Sequence, residues 1–284
     1  MPSPRWAMGH WFQSSPIWLL GVLLFGATVA CAYAGAAFSR WLSQLRGQDA
    51  KLSESQQGYV VSSIFALLAL LLAFTFGNAV DRFQTRRQLV VQEANAIEAV
   101  YLQAQLLDEP HRSRLADLLV RHTENHLKLA QLRHDDASAQ RLLAEDDILL
   151  RDIWTATVSA FQSIKTLDFS STFVGSVNDL VKVNAERKAF RRTQIPTTIL
   201  AALIFYALVA AAVLGGVMRT RKGRQFSILL LALNIFALML VADINRPVEG
   251  TIRESQEPME RMLARLKANP PAIYQRLVKS AAGG

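Results

Sequence analysis

The sequence predicts an all-α integral membrane protein with four transmembrane helices and a helical cytoplasmic domain inserted between the second and third. Three observations lead there. The chain is 51% hydrophobic and only 19% charged, whereas a soluble domain carries about 25% charged residues. Four uncharged apolar runs come close to the roughly 20 residues that a helix needs to cross a bilayer. Residues 81–192 contain no glycine except Gly175 and no proline except Pro110, a composition that permits long helices and discourages a sheet.

The spans are expected at 17–38, 59–80, 195–218 and 225–243, leaving 1–16 as an N-terminal segment, 81–194 as the helical domain and 244–284 as a C-terminal segment. The first run reads as a span rather than a cleaved signal. Its 22 uncharged residues exceed a signal core of about 7–15, and the leucine of a lipoprotein site is missing three residues before Cys31. Cys31 is the single cysteine, which excludes an intrachain disulfide and any Cys-x-x-Cys chemistry. The fourth run has Asn234 in its middle and ends at Asp243, so it should face protein or a cavity rather than lipid.

Lys and Arg near span ends set orientation. Arg5, Arg82, Arg86, Arg87, Arg187, Lys188, Arg191, Arg192, Arg246 and Arg253 fall on one side. The smaller set, Arg40, Arg46, Lys51, Arg219, Arg221, Lys222 and Arg224, falls on the other. The larger set places both termini and the 81–194 domain in the cytoplasm, although the basic 219–224 hairpin pulls the other way. The net charge of +8 belongs with these flanks and suits anionic headgroups, so membrane lipid and not nucleic acid is the expected partner.

Helical stripes organise the soluble segment. Phe83, Val90, Ala94, Ile97, Tyr101 and Ala104 share one face and continue the second span without a breaker, which predicts a single long helix. Asp108-Glu109-Pro110 reads as a cap with proline in the first turn, opening a helix with the stripe Leu115, Leu118, Leu119, His122, His126 and Leu129. A third helix is expected to pack through Leu143, Leu150, Trp154, Phe161 and Ile164. After Ser170-Ser171-Thr172 a fourth leads to Arg191-Arg192, and Pro196 opens the third span.

Chemical motifs are sparse. His122 and His126 stand at i, i+4 and could offer two ligands to a metal, but no further ligand is evident. On a stripe with Leu115 and Leu129 they read as packing histidines, and no metal is assigned. His134-Asp135-Asp136 and Glu145-Asp146-Asp147 lack the alternating oxygens of a calcium loop and read as a loop and a solvated helix start. There is no Gly-rich phosphate loop, Gly-x-Ser-x-Gly elbow or His-Glu-x-x-His helix. The expectation is a protein that is not an enzyme and carries no cofactor.

The run from Leu70 to Arg87 passes from apolar helix directly into charge. Its order, Phe74-Thr75-Phe76, Asn78-Ala79, Asp81-Arg82-Phe83 and Arg86, is similar to the second transmembrane helix of prokaryotic bestrophins. The segment from Leu240 to Gly250 resembles the one after their fourth span. Together with Arg86-Arg87-Gln88-Leu89-Val90-Val91, Glu93-Ala94-Asn95-Ala96-Ile97 and Arg246-Pro247, these residues identify the chain as a member of a bacterial bestrophin-like family of unknown function. Bestrophins are pentameric ion channels of cell membranes whose second spans surround a hydrophobic neck. The resemblance therefore implies a homo-oligomer, a pentamer by that likeness, in the bacterial inner membrane, passing small inorganic ions. Phe74 would take the neck position, with Leu70 and Ala66 one and two turns earlier, Asn78 and Thr75 offering neutral polar groups, and Asp81 and Arg82 at the cytoplasmic mouth. Small Ala66 departs from the usual bulky residue. The acidic calcium cluster of eukaryotic bestrophins has no counterpart, because 245–253 here is basic, so calcium gating does not carry over. The alternative is a membrane-anchored interaction or scaffold protein whose helical domain binds a cytoplasmic partner without conduction. It predicts that other helices seal the face formed by Ala66, Leu70 and Phe74.

Overall fold

The computed structural model of the protein describes residues 16–46, 54–132, 136–192, 195–217, 221–246 and 254–282. Among these, all regular structure is helical: α1 (Ile17–Arg46), α2 (Glu54–Ala104), α3 (His111–Ala130), α4 (Ala137–Ile164), α5 (Phe169–Arg192), α6 (Thr197–Val217), α7 (Arg221–Ile244), α8 (Glu257–Ala268) and α9 (Pro271–Ala282). The chain divides into two compact units, 1–83 with 194–253 and 84–193 with 254–284. Helix α2 runs unbroken for 51 residues, as the absence of glycine and proline after Gly77 allows.

The first unit holds the four helices long and apolar enough to cross a membrane, with α2 entering it through its N-terminal part. That part buries Val61, Leu68, Leu72 and Ala79, spaced so that all fall on one helical face. They pack against Leu203, Ala207 and Leu214 of α6 and Leu231, Ile235, Leu238 and Val241 of α7. Helices α1 and α6 meet at glycines. A Cβ on Gly35 would lie 1.9 Å from the Ala212 carbonyl oxygen, and one on Gly215 would lie 1.9 Å from that of Ala32. Only a residue without a side chain lets the backbones approach so closely, the device by which helices associate in lipid. Asn234 is half-buried and donates to the Leu230 carbonyl of its own helix at 3.2 Å. Thr75, expected as a free polar group, is buried and donates to the Leu71 carbonyl at 2.7 Å, so its hydroxyl is consumed within the helix.

The second unit is built on the C-terminal part of α2 with α3, α4, α5, α8 and α9. Val90, Ile97 and Tyr101 of α2 form one core with Leu115 and Leu119 of α3, Ile153 of α4, Phe173 and Leu180 of α5, and Met259, Met262 and Leu266 of α8. The C-terminal residues, which read as a separate segment in the sequence, thus complete this core. Tyr101 Oη donates to the Asn269 carbonyl at 2.8 Å. Two local expectations are corrected. Pro110 rather than Asp108 occupies the N-cap of α3, and Glu109 accepts from the Ser113 backbone N–H at 3.3 Å. The buried face of α4 is Ala139, Asp146, Leu149, Ile153, Ala156, Ala160 and Ile164, about one position away from the expected stripe, and Trp154 is exposed. Asp146 on that face hid the period, because a carboxylate scores as solvent-facing. Asp136 caps α4 by accepting from the Ser138 N–H at 2.7 Å, while His134 and Asp135 lie outside the described residues.

Candidate pore helix and buried polar cluster

The neck candidates fall opposite the buried face of α2. Phe74 is 65% exposed and Leu70 51%. Ala66, Asn78 and Asp81 are exposed as well, and Arg82 is half-buried. Helical spacing accounts for the split: Ala66, Leu70, Phe74 and Asn78 repeat every four residues, and Leu68, Leu72, Thr75 and Ala79 interleave with them on the far side. The face is therefore apolar from Ala66 to Phe74 and polar from Asn78 to Asp81. Among the described residues its larger side chains, Leu70 and Phe74, remain exposed.

The second unit holds a polar cluster that the sequence concealed. Glu93 on α2, His122 and His126 on α3 and Asp146 on α4 are all buried. The helical period that puts His122 and His126 on one face is the one read from sequence, but that face meets carboxylates. Glu93 Oε1 lies 3.7 Å from His122 Nε2 and 3.1 Å from His126 Nδ1. Asp146 Oδ1 lies 2.9 Å from His122 Nδ1 and 2.7 Å from His126 Nε2. Helix α5 closes the cluster. Asn184 Nδ2 donates to Asp146 Oδ2 at 3.0 Å, and Lys188 Nζ stands 2.5 Å from the same oxygen. Arg187 pairs through Nη1 with Glu93 Oε2, approaches His126 Nδ1 at 3.2 Å and donates through Nη2 to Gln256 Oε1 at 2.9 Å.

Two readings from sequence change accordingly. Asp146 is not part of a solvated helix start, and the histidines are not without acidic partners. The sequence signal that could have revealed this is the placement of Glu93 between Val90, Ala94 and Ile97 on an otherwise apolar face. Burying carboxylates without partners costs several kcal/mol, and the two cations and two imidazoles offset it. Burial alone would lower the His122 pKa, but Asp146 and Glu93 beside it outweigh burial and push it up to about 9. For Asp146, burial acts upward and the hydrogen-bonded histidines dominate, holding the carboxyl well below its ordinary value. Glu93 behaves alike, its burial outweighed by His126 and Arg187.

A crystal structure of a bacterial bestrophin homolog from Klebsiella pneumoniae matches with a TM-score of 0.66 at 16% identity, over 89% of this chain and 98% of that one. A variant of that protein matches with a TM-score of 0.63 at 17% identity, over 92% and 99%. At this identity the likeness speaks for a shared fold. The chain itself belongs to the bestrophin-like family, whose domain description matches residues 26–259. No curated protein matches the sequence.

Proposed function

We propose that the protein is a subunit of a homo-oligomeric bestrophin-like ion channel, with Ala66, Leu70 and Phe74 of α2 lining a hydrophobic neck and Asn78, Asp81 and Arg82 its mouth. The observation that carries this reading is the open face of α2, where Phe74 is 65% exposed within the chain. The anchored-scaffold reading has this face sealed by helices in a monomer or a dimer, so the oligomeric state with the path along its axis separates the two. A ring of such faces around an axis, five by likeness to bestrophins, gives an apolar barrier that dewets and a polar exit. Oligomerisation is further supported by Ile148, Trp154 and Val158, which share the outer face of α4 and are exposed outside the spans. Exposed apolar groups on a helix outside the spans suit an association surface. In this reading the channel sits in the bacterial inner membrane among its lipids, with both termini and the 81–194 domain in the cytoplasm.

Conductance of Phe74→Ala in reconstituted bilayers tests it. An ion crossing an apolar ring sheds water without replacement ligands, so opening the ring lowers a desolvation barrier and conductance rises, with Phe74→Leu changing it less. Because Phe74 is unpacked within the chain, the variant keeps its stability within about 0.5 kcal/mol apart from subunit contacts. Absence of current in wild type and in Phe74→Ala, from protein that is folded and oligomeric, overturns the channel reading and leaves the anchored interaction protein.

A further inference from the structure

The polar cluster of the second unit contains atoms that its protein partners leave unsatisfied. Among the described residues, Glu93 Oε1 and His122 Nε2 are fully buried without a well-formed hydrogen bond, while His122 Nδ1 faces Asp146 Oδ1 at 2.9 Å. Buried polar atoms nearly always have a partner, so two side by side call for one. They also converge. Glu93, His122 and His126 each offer one ligand atom, and these atoms lie within 4.8 Å of one another.

The separations sharpen the point. His126 Nδ1 lies 3.1 Å from Glu93 Oε1, and His122 Nε2 lies 3.7 Å from the same oxygen. The second nitrogen of each ring, His122 Nδ1 and His126 Nε2, faces Asp146 Oδ1 at 2.9 and 2.7 Å. Atoms bound to one tetrahedral ion at about 2.0–2.2 Å are themselves about 3.3–3.6 Å apart, close to these separations.

The geometry points to a binding site for a divalent transition-metal ion, zinc foremost, held by Glu93 Oε1, His122 Nε2 and His126 Nδ1, with Asp146 behind the two imidazoles. Two imidazoles and one carboxylate suit zinc and its first-row neighbours, while calcium and magnesium prefer oxygen alone. Asp146 Oδ1 facing the second nitrogen of each ring is the carboxylate–histidine–metal arrangement that fixes tautomers and raises ligand basicity. Arg187 holds Glu93 Oε2, leaving Oε1 for the ion, and withdraws from His126 Nδ1 when the ion takes that lone pair. The ion would fasten α2 to α3. This site is built from residues 93–126, and it does not depend on conduction.

Metal analysis of the full-length protein, purified without a polyhistidine tag, stripped with a chelator and re-exposed to zinc, tests the proposal. About one zinc per chain is expected, with a melting temperature that falls on stripping and recovers on reloading. Glu93→Gln, His122→Gln and His126→Gln each abolish the stoichiometric zinc, while His111→Gln retains it. Asp146→Asn keeps the stoichiometry but weakens affinity by about ten- to a hundredfold, an effect that loss of folding does not produce. If stripped wild type takes up no zinc, manganese or iron at tens of micromolar, the cluster is closed by protons and the proposal fails. It fails equally if His122→Gln and His126→Gln bind zinc as wild type does.

Discussion

Replacing Gly35 by alanine adds one methyl group where the structure has no room for it. The new Cβ would stand 1.9 Å from the Ala212 carbonyl oxygen, 2.6 Å from its carbon and 2.9 Å from its Cα. These are backbone atoms of another helix, so no side chain can rotate away, and α1 and α6 must separate by about 1 Å or more. A gap of that size forfeits about a quarter to a half of each dispersion contact along the seam. Overpacking of a tight contact costs about 1–3 kcal/mol, and the rigidity here puts Gly35→Ala near 3. Gly215→Ala, whose Cβ meets Ala32 at 1.9 Å, should cost as much alone. The double variant should cost less than the sum, because helices already parted make room for the second methyl. Gly26→Ala and Gly77→Ala are the controls: nothing lies within 4 Å of either Cβ, so both should be neutral or stabilise by about 0.5–1 kcal/mol through helix propensity. Unfolding in detergent followed by circular dichroism measures all five variants. Gly35→Ala unfolding with the control Gly26→Ala, at or above wild type, would show that α1 and α6 do not meet at these glycines.

Two other outcomes follow from particular contacts. Met259→Ala, which truncates a side chain wholly buried in the second unit, should cost about 2–5 kcal/mol; chemical denaturation that shows less than about 1 kcal/mol would remove α8 from that core. For topology, single cysteines introduced at Ser138 and Ala282 in a Cys31→Ser background should stay unlabelled by an impermeant reagent in intact cells and react after permeabilisation. Labelling of either in intact cells reverses the proposed orientation.

Much of the architecture was legible in the chain because its determinants are one-dimensional. A bilayer demands about 20 uncharged residues whatever their neighbours, so the four apolar helices could be placed from composition, as could the unbroken passage of α2 from Tyr59 to Ala104, with no glycine or proline after Gly77. The family motifs from Phe74 to Ile97 were readable for the same reason. The outward face of α2 was also readable as a face, since a period of 3.6 sorts Ala66, Leu70 and Phe74 from Leu68 and Leu72.

Tertiary structure decided what depends on which faces meet. Asp146 reads as solvated beside Glu145 and Asp147, yet it is buried because His122, His126, Asn184 and Lys188, far away in the chain, converge on it. Charge predicts exposure only while no partner offsets desolvation, and partners brought in by other helices leave no local trace. Gly35 and Gly215 likewise look like ordinary span residues until the crossing of α1 and α6 makes the missing Cβ a requirement. The placement of Met259, Met262 and Leu266 in the core of residues 84–193 was hidden for the same physical reason: burial belongs to a pair of surfaces, and one stretch of sequence displays only one of them.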